Sequence, residues 1–199
     1  MENTEEQTYI NRVKNGDPAP YTFIVDKYKH MAYTIALKIT GSVEDAEDVA
    51  QESFIKAYQQ IRQFEGKSKF STWLYTIVYR TAISKLKENK IKTISISNSI
   101  KENYSQGHTM PQLEELQLED EQRHVKQAIQ RLPKTEALLI TLFYMNENTV
   151  REIQEITGLS SANIKIRLFR ARRKLERELQ FLMNRETNSI DENVKEKKR

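Results

Sequence analysis

Residues 149–175 constrain the fold most, because apolar residues recur at helical spacing on both sides of a short glycine turn. The first run is Val150, Ile153 and Ile156. Gly158 then interrupts it with the residue type that accepts a positive φ without strain. Beyond the turn, Ser160 or Ser161 can cap a second helix. Its apolar stripe would be Ile164, Leu168, Ala171 and Leu175. Helix, glycine turn and helix predict a helix-turn-helix.

The second helix of this motif is strongly basic. Its cations are Lys165, Arg167, Arg170, Arg172, Arg173, Lys174 and Arg177. Such a helix fits the major groove of duplex DNA, with its early residues at base edges and its later cations at phosphates. A solvated basic face on an ordinary helical hairpin is the alternative. The coincidence of glycine turn, capping serine and one-sided charge favours DNA.

Turn-forming residues are scarce in the rest of the chain. Five glycines and four prolines among 199 residues favour long helices over the many tight turns of an all-β protein. The absence of cysteine excludes disulfides and thiolate metal sites. No apolar run approaches the roughly 18 residues of a membrane span, and the acidic start is unlike a signal peptide. These features predict a cytoplasmic protein.

Residues 89–112 separate two helical parts of the chain. They are rich in Ser, Asn and Lys, include Gly107 and Pro111, and show no helical stripe. We therefore predict an all-α chain of two small helical domains, residues 1–88 and 113–183, joined by a flexible linker. The C-terminal domain contains the helix-turn-helix. Residues 184–199 lack apolar periodicity and are predicted to be disordered.

A helix that Ser42 can cap carries an acidic outer face. Its packed positions are Ala46, Val49, Ala50, Ser53, Ala57 and Ile61. That pattern leaves Asp45, Asp48, Gln51 and Glu52 mostly outside, beside a Phe54 that we expect to be exposed. Such a face fits a docking surface for a basic partner, and it fits a solvated surface equally well.

Aromatic and basic residues alternate from residue 64 to residue 87. Residues 64–70 predict a loop with cations and a serine between two aromatics, followed by a helix from Ser71. Leu74, Ile77, Val78 and Thr81 can face the core, which would leave Tyr75 and Tyr79 near the surface. Rings that stack on unpaired bases, beside cations that hold phosphates, are typical of single-stranded nucleic-acid binding. Phe70 and Trp73 by themselves are more often core residues.

Four segments of the chain together resemble one family. Residues 45–54 (DAEDVAQESF), 64–77, 128–133 (AIQRLP) and 164–175 (IKIRLFRARRKL) are similar, in the same order, to bacterial sigma factors of the extracytoplasmic-function (ECF) group. The resemblance implies a protein that binds core RNA polymerase and directs initiation at promoter DNA without itself being an enzyme. It also implies an anti-sigma factor as a partner. No cofactor, metal ion or small-molecule substrate is expected.

The resemblance assigns roles to three sets of residues. It implies that core polymerase is bound by Asp45, Asp48, Gln51, Glu52 and Phe54. It implies that the melted minus-ten element is bound by Phe64, Lys67, Ser68, Lys69, Phe70, Trp73, Tyr75, Tyr79 and Arg80. It implies that the minus-thirty-five duplex is bound by Ser161, Asn163, Lys165, Ile166, Arg167, Phe169 and Arg170. Arg80 and Ser84 stand where the family commonly has asparagine and aspartate, which leaves the preferred minus-ten sequence open.

Two other functions are compatible with parts of this sequence. A conventional helix-turn-helix regulator with an N-terminal sensor or dimerisation domain would leave the aromatic cluster and the acidic face without a role. A metal-dependent nuclease could use Asp45, Asp48 and Glu52, which share a helical face. The histidines, however, have no ligand spacing, and no paired general acid and base is apparent.

Overall fold

The computed structural model describes residues 2–97 and 120–196, and within them the chain is helical apart from short connections. The helices are α1 (Glu2–Lys14), α2 (Tyr21–Thr40), α3 (Val43–Gln60), α4 (Phe70–Ser97), α5 (Asp120–Gln130), α6 (Lys134–Ile140), α7 (Val150–Thr157) and α8 (Ser161–Glu196). A short 3₁₀ turn, Ile61–Gln63, follows α3, and a π-helical turn, Thr141–Met145, follows α6. The all-α fold class is confirmed. None of the described helices is long and apolar enough to cross a membrane.

The described helices form two compact units. The first contains α1–α4 and α7, and the second contains α5, α6 and α8. Helix α7, which the sequence groups with the C-terminal domain, packs against α4 in the first unit.

Helices α2, α3 and α4 pack against one another to form the core of the first unit. Their fully buried contacts include small residues, which let the helix backbones approach closely: Ala32, Ala36, Ala46, Ala57 and Ala82. Ile24, Leu74 and Val78 fill the space between them. The buried hydroxyl of Ser53 donates to the Val49 carbonyl at 2.6 Å, so this polar atom is not left unpaired.

The core of the second unit lies between α5, α6 and α8. Helix α6 buries Ala137 and each of the three residues that follow it. Ile164, Leu168 and Ala171 of α8 are buried, which confirms these positions of the predicted apolar stripe. Arg131 pairs with Glu178 of α8 at 3.0 Å and fixes the end of α5 to that helix.

Three predicted helix caps, Ser42, Ser160 and Gly158, are confirmed, and Thr149 is a further cap that was not predicted. The Ser42 hydroxyl accepts the Asp45 N–H at 3.3 Å, and the Ser160 hydroxyl accepts the Asn163 N–H at the same distance. Gly158 ends α7 with φ 71°, as expected of a left-handed cap. Thr149 and Glu152 form a reciprocal capping box at the start of α7.

Two predicted irregular segments are helical instead. Helix α4 continues to Ser97, through nine residues of the predicted linker, and α8 continues to Glu196, through most of the predicted disordered tail. Residues 89–97 and 184–196 contain no glycine or proline that would stop a helix. An apolar stripe predicts which face of a helix is packed, and its absence does not prevent the backbone hydrogen bonds of a helix. The rest of the linker, with the predicted helix start near residue 113, lies outside the described residues.

Candidate functional site

The acidic face of α3 is exposed at three of its predicted positions. Asp48, Gln51 and Glu52 face solvent, whereas Asp45 is half-buried. The expected exposure of Phe54 is wrong, because its side chain is only 7% exposed and its carbonyl accepts the Tyr21 hydroxyl at 2.5 Å. The next residue, Ile55, carries the exposed apolar surface instead.

Lys85 of α4 partly neutralises this acidic face. Its ammonium lies 3.0 Å from Asp48 and 3.7 Å from Asp45. The hydrogen bond to Asp48, together with the charges of Asp48 and Asp45, raises the pKa of Lys85 against the opposing effect of burial. Asn89 also donates to Asp45 at 2.9 Å. This contact could not be predicted from a local pattern, because Lys85 lies 37 residues beyond Asp48.

An aromatic cluster closes both ends of the 64–70 loop. The rings of Phe64 and Phe70 meet edge to face at 5.3 Å, and each lies 5.4 Å from the ring of Trp73. Phe64 and Phe70 are buried, while Trp73 is half-buried. The loop therefore has both ends fixed in the core, and the cluster reaches the surface at the indole.

The middle of this loop projects into solvent. Gly66 has φ 73°, a conformation that favours glycine. The Lys67 side chain is 85% exposed and pairs with Glu65, and Ser68 is half-buried. On the helix that follows, Tyr79 is half-buried and Arg80 is exposed. The cations and the hydroxyl predicted to contact single-stranded DNA are thus at or near the surface.

Tyr75 contradicts the predicted outward face of α4. It is 1% exposed and makes an edge-to-face contact with Tyr28 at 6.0 Å. Apolar residues surround the first half of α4, so the sequence shows no single stripe from which to choose the buried side. Tyr75 cannot stack on a base in this arrangement, and neither can the buried rings of Phe64 and Phe70.

Lys69 is held by an acidic residue of α7. Its ammonium lies 3.0 Å from Glu152, which also accepts the Thr149 backbone N–H at 2.7 Å. Burial raises the pKa of Glu152, but these donors together outweigh burial and leave its pKa below the ordinary value. Lys69 could be predicted as a functional cation from the sequence. Its partner Glu152 could not, since the two residues lie far apart in the chain.

The first turns of α8 expose a mixed basic and apolar surface. Lys165 and Arg170 face solvent, and Ile166 and Phe169 are about half exposed despite being large apolar residues. The Arg173 guanidinium lies 5.9 Å from the centroid of the Phe169 ring. Ser161 and Asn163, in the first turn of α8, are half-buried. Large apolar side chains that are exposed next to one another on a helix, as Ile166 and Phe169 are, are typical of a contact surface.

Arg167 differs from its basic neighbours because it is bound within the second unit. Its Nε donates to Asn163 at 2.7 Å, and its Nη1 lies 3.4 Å from Glu136 of α6. The guanidinium is half-buried in consequence. It therefore fixes α8 to α6 and has fewer donors left for DNA.

The three carboxylates considered as a metal site, Asp45, Asp48 and Glu52, are each paired with a lysine. Asp45 and Asp48 share the ammonium of Lys85, and Glu52 pairs with Lys56 at 2.6 Å. Within residues 2–97 and 120–196, no group of three or more candidate ligands is placed to hold a metal ion.

Comparison with known families gives two matches along the chain. Residues 24–91 match the family described as sigma-70 region 2, and residues 122–175 match sigma-70 region 4. The first match covers most of α2–α4, and the second covers α5–α7 with the basic start of α8. Helix α1 lies outside both.

Similar proteins are known from several bacteria. The ECF RNA polymerase sigma factor SigW of Bacillus subtilis is 33% identical over 180 residues, covering 87% of this chain and 96% of the relative. The RNA polymerase sigma-H factor of Pseudomonas aeruginosa is 30% identical over 90% of this chain and 96% of its own. The ECF RNA polymerase sigma-E factor of Escherichia coli K12 is 31% identical over 92% and 99%.

Two solved structures share the fold. The sigma factor RpoE of Bartonella quintana, crystallised with the anti-sigma factor NepR, aligns with a TM-score of 0.61 at 20% identity and covers 80% of this chain and 96% of its own. CnrH, solved with the cytosolic domain of CnrY, aligns with a TM-score of 0.57 at 16% identity, covering 87% and 96%.

Proposed function

Because the chain belongs to the extracytoplasmic-function sigma factors of bacterial RNA polymerase, we propose that it reads the two elements of a promoter with two different surfaces. Duplex DNA binds α8, and the melted strand binds the 64–70 loop and α4. The observation that carries this proposal is the pairing, in one chain, of an exposed basic helix with an aromatic cluster that reaches the surface among cations. The chain makes and breaks no covalent bond, and it acts in the cytoplasm, where core polymerase is found.

The minus-thirty-five duplex is the proposed ligand of the start of α8. Lys165 and Arg170 supply exposed cations for phosphates, and Ile166 and Phe169 supply apolar contacts for base edges or sugars. Ser161 and Asn163 precede them on the first turn. We assign Arg167 a supporting role, since its guanidinium is bound by Asn163 and Glu136.

The melted minus-ten element is the proposed ligand of the 64–70 loop and the exposed side of α4. Lys67, Ser68, Lys69 and Arg80 are at or near the surface and can contact the strand. Trp73 and Tyr79 are the half-buried rings available for stacking. Phe64, Phe70 and Tyr75 are buried and act by supporting the loop and the indole. Base capture offsets an unstacking cost of a few kcal/mol when the strands open.

Core RNA polymerase is the proposed partner of the acidic face of α3. Asp48, Gln51 and Glu52 are exposed there, and Asp45 is bound to Lys85 and Asn89 at its edge. Phe54 is buried, so Ile55 is the residue that can offer apolar contact beside the acids. We also propose an anti-sigma factor as a partner, as in the structure that pairs RpoE with NepR.

Initiation in a purified system tests this function. Core polymerase with this chain should start transcripts from members of a randomised promoter library, and Trp73→Ala should reduce opening of a selected promoter by roughly tenfold or more. Permanganate reactivity of unpaired thymines measures the opening, and circular dichroism checks that the variant folds. Binding of duplex DNA without any core-dependent transcript would instead identify a conventional helix-turn-helix regulator.

A further inference from the structure

Helix α1 contacts the start of the 64–70 loop through one long-range hydrogen bond. The Lys14 ammonium donates to the Phe64 carbonyl at 2.7 Å, across 50 residues of sequence. The contact is partly buried, and charge-assisted hydrogen bonds of this kind are stronger than neutral ones. Lys14 lies outside the segment that matches sigma-70 region 2.

The Phe64 carbonyl needs such a donor because of its position. Phe64 ends the 3₁₀ turn in an extended conformation, with φ −68° and ψ 106°, and its N–H donates to the Ile61 carbonyl. The chain leaves the helical pattern at this residue, so the next residues supply no helical donor for its carbonyl oxygen. The ammonium of Lys14 takes that place and fixes the direction in which the loop departs.

The end of α1 is itself held firmly in place. Ile10 and Val13 are buried, and α1 packs against both α2 and the 3₁₀ turn that contains Ile61. Near its start, Glu6 accepts hydrogen bonds from Tyr28 and Lys27 of α2. Lys14 therefore reaches the loop from a fixed support.

We propose that Lys14 is a positioning residue for strand opening, because its hydrogen bond to the Phe64 carbonyl sets the direction of the 64–70 loop. The inference rests on the proposed role of that loop at the minus-ten element. The buried Phe64 ring touches the half-buried Trp73, so a change in the Phe64 backbone is transmitted to the one indole of the chain. Lys67 and Ser68 follow in the exposed middle of the same loop, so its direction also sets where they lie.

Lys14→Met tests this role because it keeps the apolar stem and removes only the ammonium. Lys27→Met is the matched control. It removes the ion pair between Lys27 of α2 and Glu6 of α1, and it leaves the hydrogen bond from Lys14 to Phe64 in place. Lys14→Arg restores a charged donor and should recover part of the effect. All three are made in the full chain and assembled with core polymerase.

Two measurements decide the outcome. Opening of a library-selected promoter, followed by permanganate reactivity, should fall about tenfold in Lys14→Met with affinity for core polymerase unchanged. Acrylamide quenching of Trp73 fluorescence in the free chain should increase in the same variant. Lys27→Met should match the wild type in both measurements.

Other results would overturn the inference. Wild-type opening in Lys14→Met excludes the positioning role, whatever the quenching shows, and reduced opening with unchanged quenching excludes action through the loop. If the wild-type complex itself opened no promoter, the proposed function would fail. The quenching comparison would then still decide separately whether Lys14 holds the loop.

Discussion

At the scale of single residues, Glu152 illustrates how one carboxylate serves two elements. It accepts the Thr149 backbone N–H and hydroxyl at 2.7 and 2.9 Å, which caps α7, and it pairs with Lys69 at the start of α4. Its side chain is only 13% exposed, so these contacts are less screened than surface ion pairs. The charge of Glu152 therefore contributes to the packing of α7 on α4.

We expect Glu152→Gln to lower the free energy of unfolding by about 1 kcal/mol at pH 7. The pKa of Glu152 is lowered in the folded chain from its ordinary value of 4.5. The stabilisation by its charge is therefore fully present above that value and is lost as the pH falls through the lower folded pKa. Urea denaturation of both proteins at neutral pH and at a series of pH values below 4.5 measures the difference, which should shrink as the pH falls. Glu155→Gln is the control, because its partner Arg151 is 90% exposed, and it should change stability little.

The arginines of α8 should separate into two groups by their effect on DNA binding. Arg170→Ala removes an exposed cation, so the slope of log affinity against log salt should fall by about one. Arg167→Ala removes a residue bound to Asn163 and Glu136, so it should mainly lower the unfolding free energy of the chain. Titration of a selected minus-thirty-five duplex at several salt concentrations, with thermal melting of each variant, distinguishes the two. Equal salt slopes for both variants would contradict this division.

At the scale of helices, α3 and α4 form a paired acidic and basic arrangement. Lys85 of α4 forms ion pairs with Asp45 and Asp48, and Lys56 of α3 forms one with Glu52. These carboxylates belong to the face that we assign to core polymerase. A basic partner would therefore meet a face whose charge is lower than its acidic residues suggest. Removing Lys85 and reversing Asp48 both break the same ion pair, yet they change the charge of the face in opposite directions.

We expect Asp48→Lys to weaken core polymerase binding by tenfold or more, since like charges at an interface cost several kcal/mol. Lys85→Ala should leave binding equal or stronger, because the acids gain net charge. Asp26→Lys, the same change at an exposed position of α2, is the control. Affinity is measured with labelled chain and purified core enzyme. Unchanged binding by Asp48→Lys would mean that the acidic face is not the docking surface.

Helix positions and ends could be predicted from the sequence where a local pattern determines them. Ser42, Ser160 and Gly158 act within a few residues of their own position, and Ala46, Val49, Ser53 and Ala57 of α3 are buried as their period requires. Tyr75 and Phe54 were misplaced because their helices carry apolar residues on more than one side. The contacts of Lys14, Lys85 and Glu152 could not be predicted, because each joins segments that only the tertiary fold brings together.

At the scale of the whole molecule, the proposed function depends on a partner that holds both DNA-binding surfaces. The chain has 32 basic and 28 acidic residues, so its net charge of +4 gives little general attraction to DNA. Each DNA-binding surface must therefore rely on its own local contacts, and the contacts of one surface with one promoter element bind DNA only weakly. Fixing both surfaces on core polymerase raises the effective concentration of each for its own element.

We expect a promoter that carries both elements to bind the assembled enzyme about a hundredfold or more tighter than a promoter that lacks one of them. The free chain should show a much smaller ratio between the same two fragments. Competition binding with and without core polymerase measures both ratios. An equal preference in the free chain would show that the polymerase is not needed to combine the two contacts.

The unbroken length of α4 has a further consequence. Trp73 lies near its first turn, and Lys85, which holds the acids of α3, lies twelve residues later. At 1.5 Å per residue, the helix separates them by about 18 Å. A continuous helix cannot stretch, so α4 sets a constant distance between the face that we propose binds core polymerase and the indole that we propose contacts the melted strand. Under this proposal the helix, and not the promoter, determines how far the first unpaired base lies from the polymerase contact.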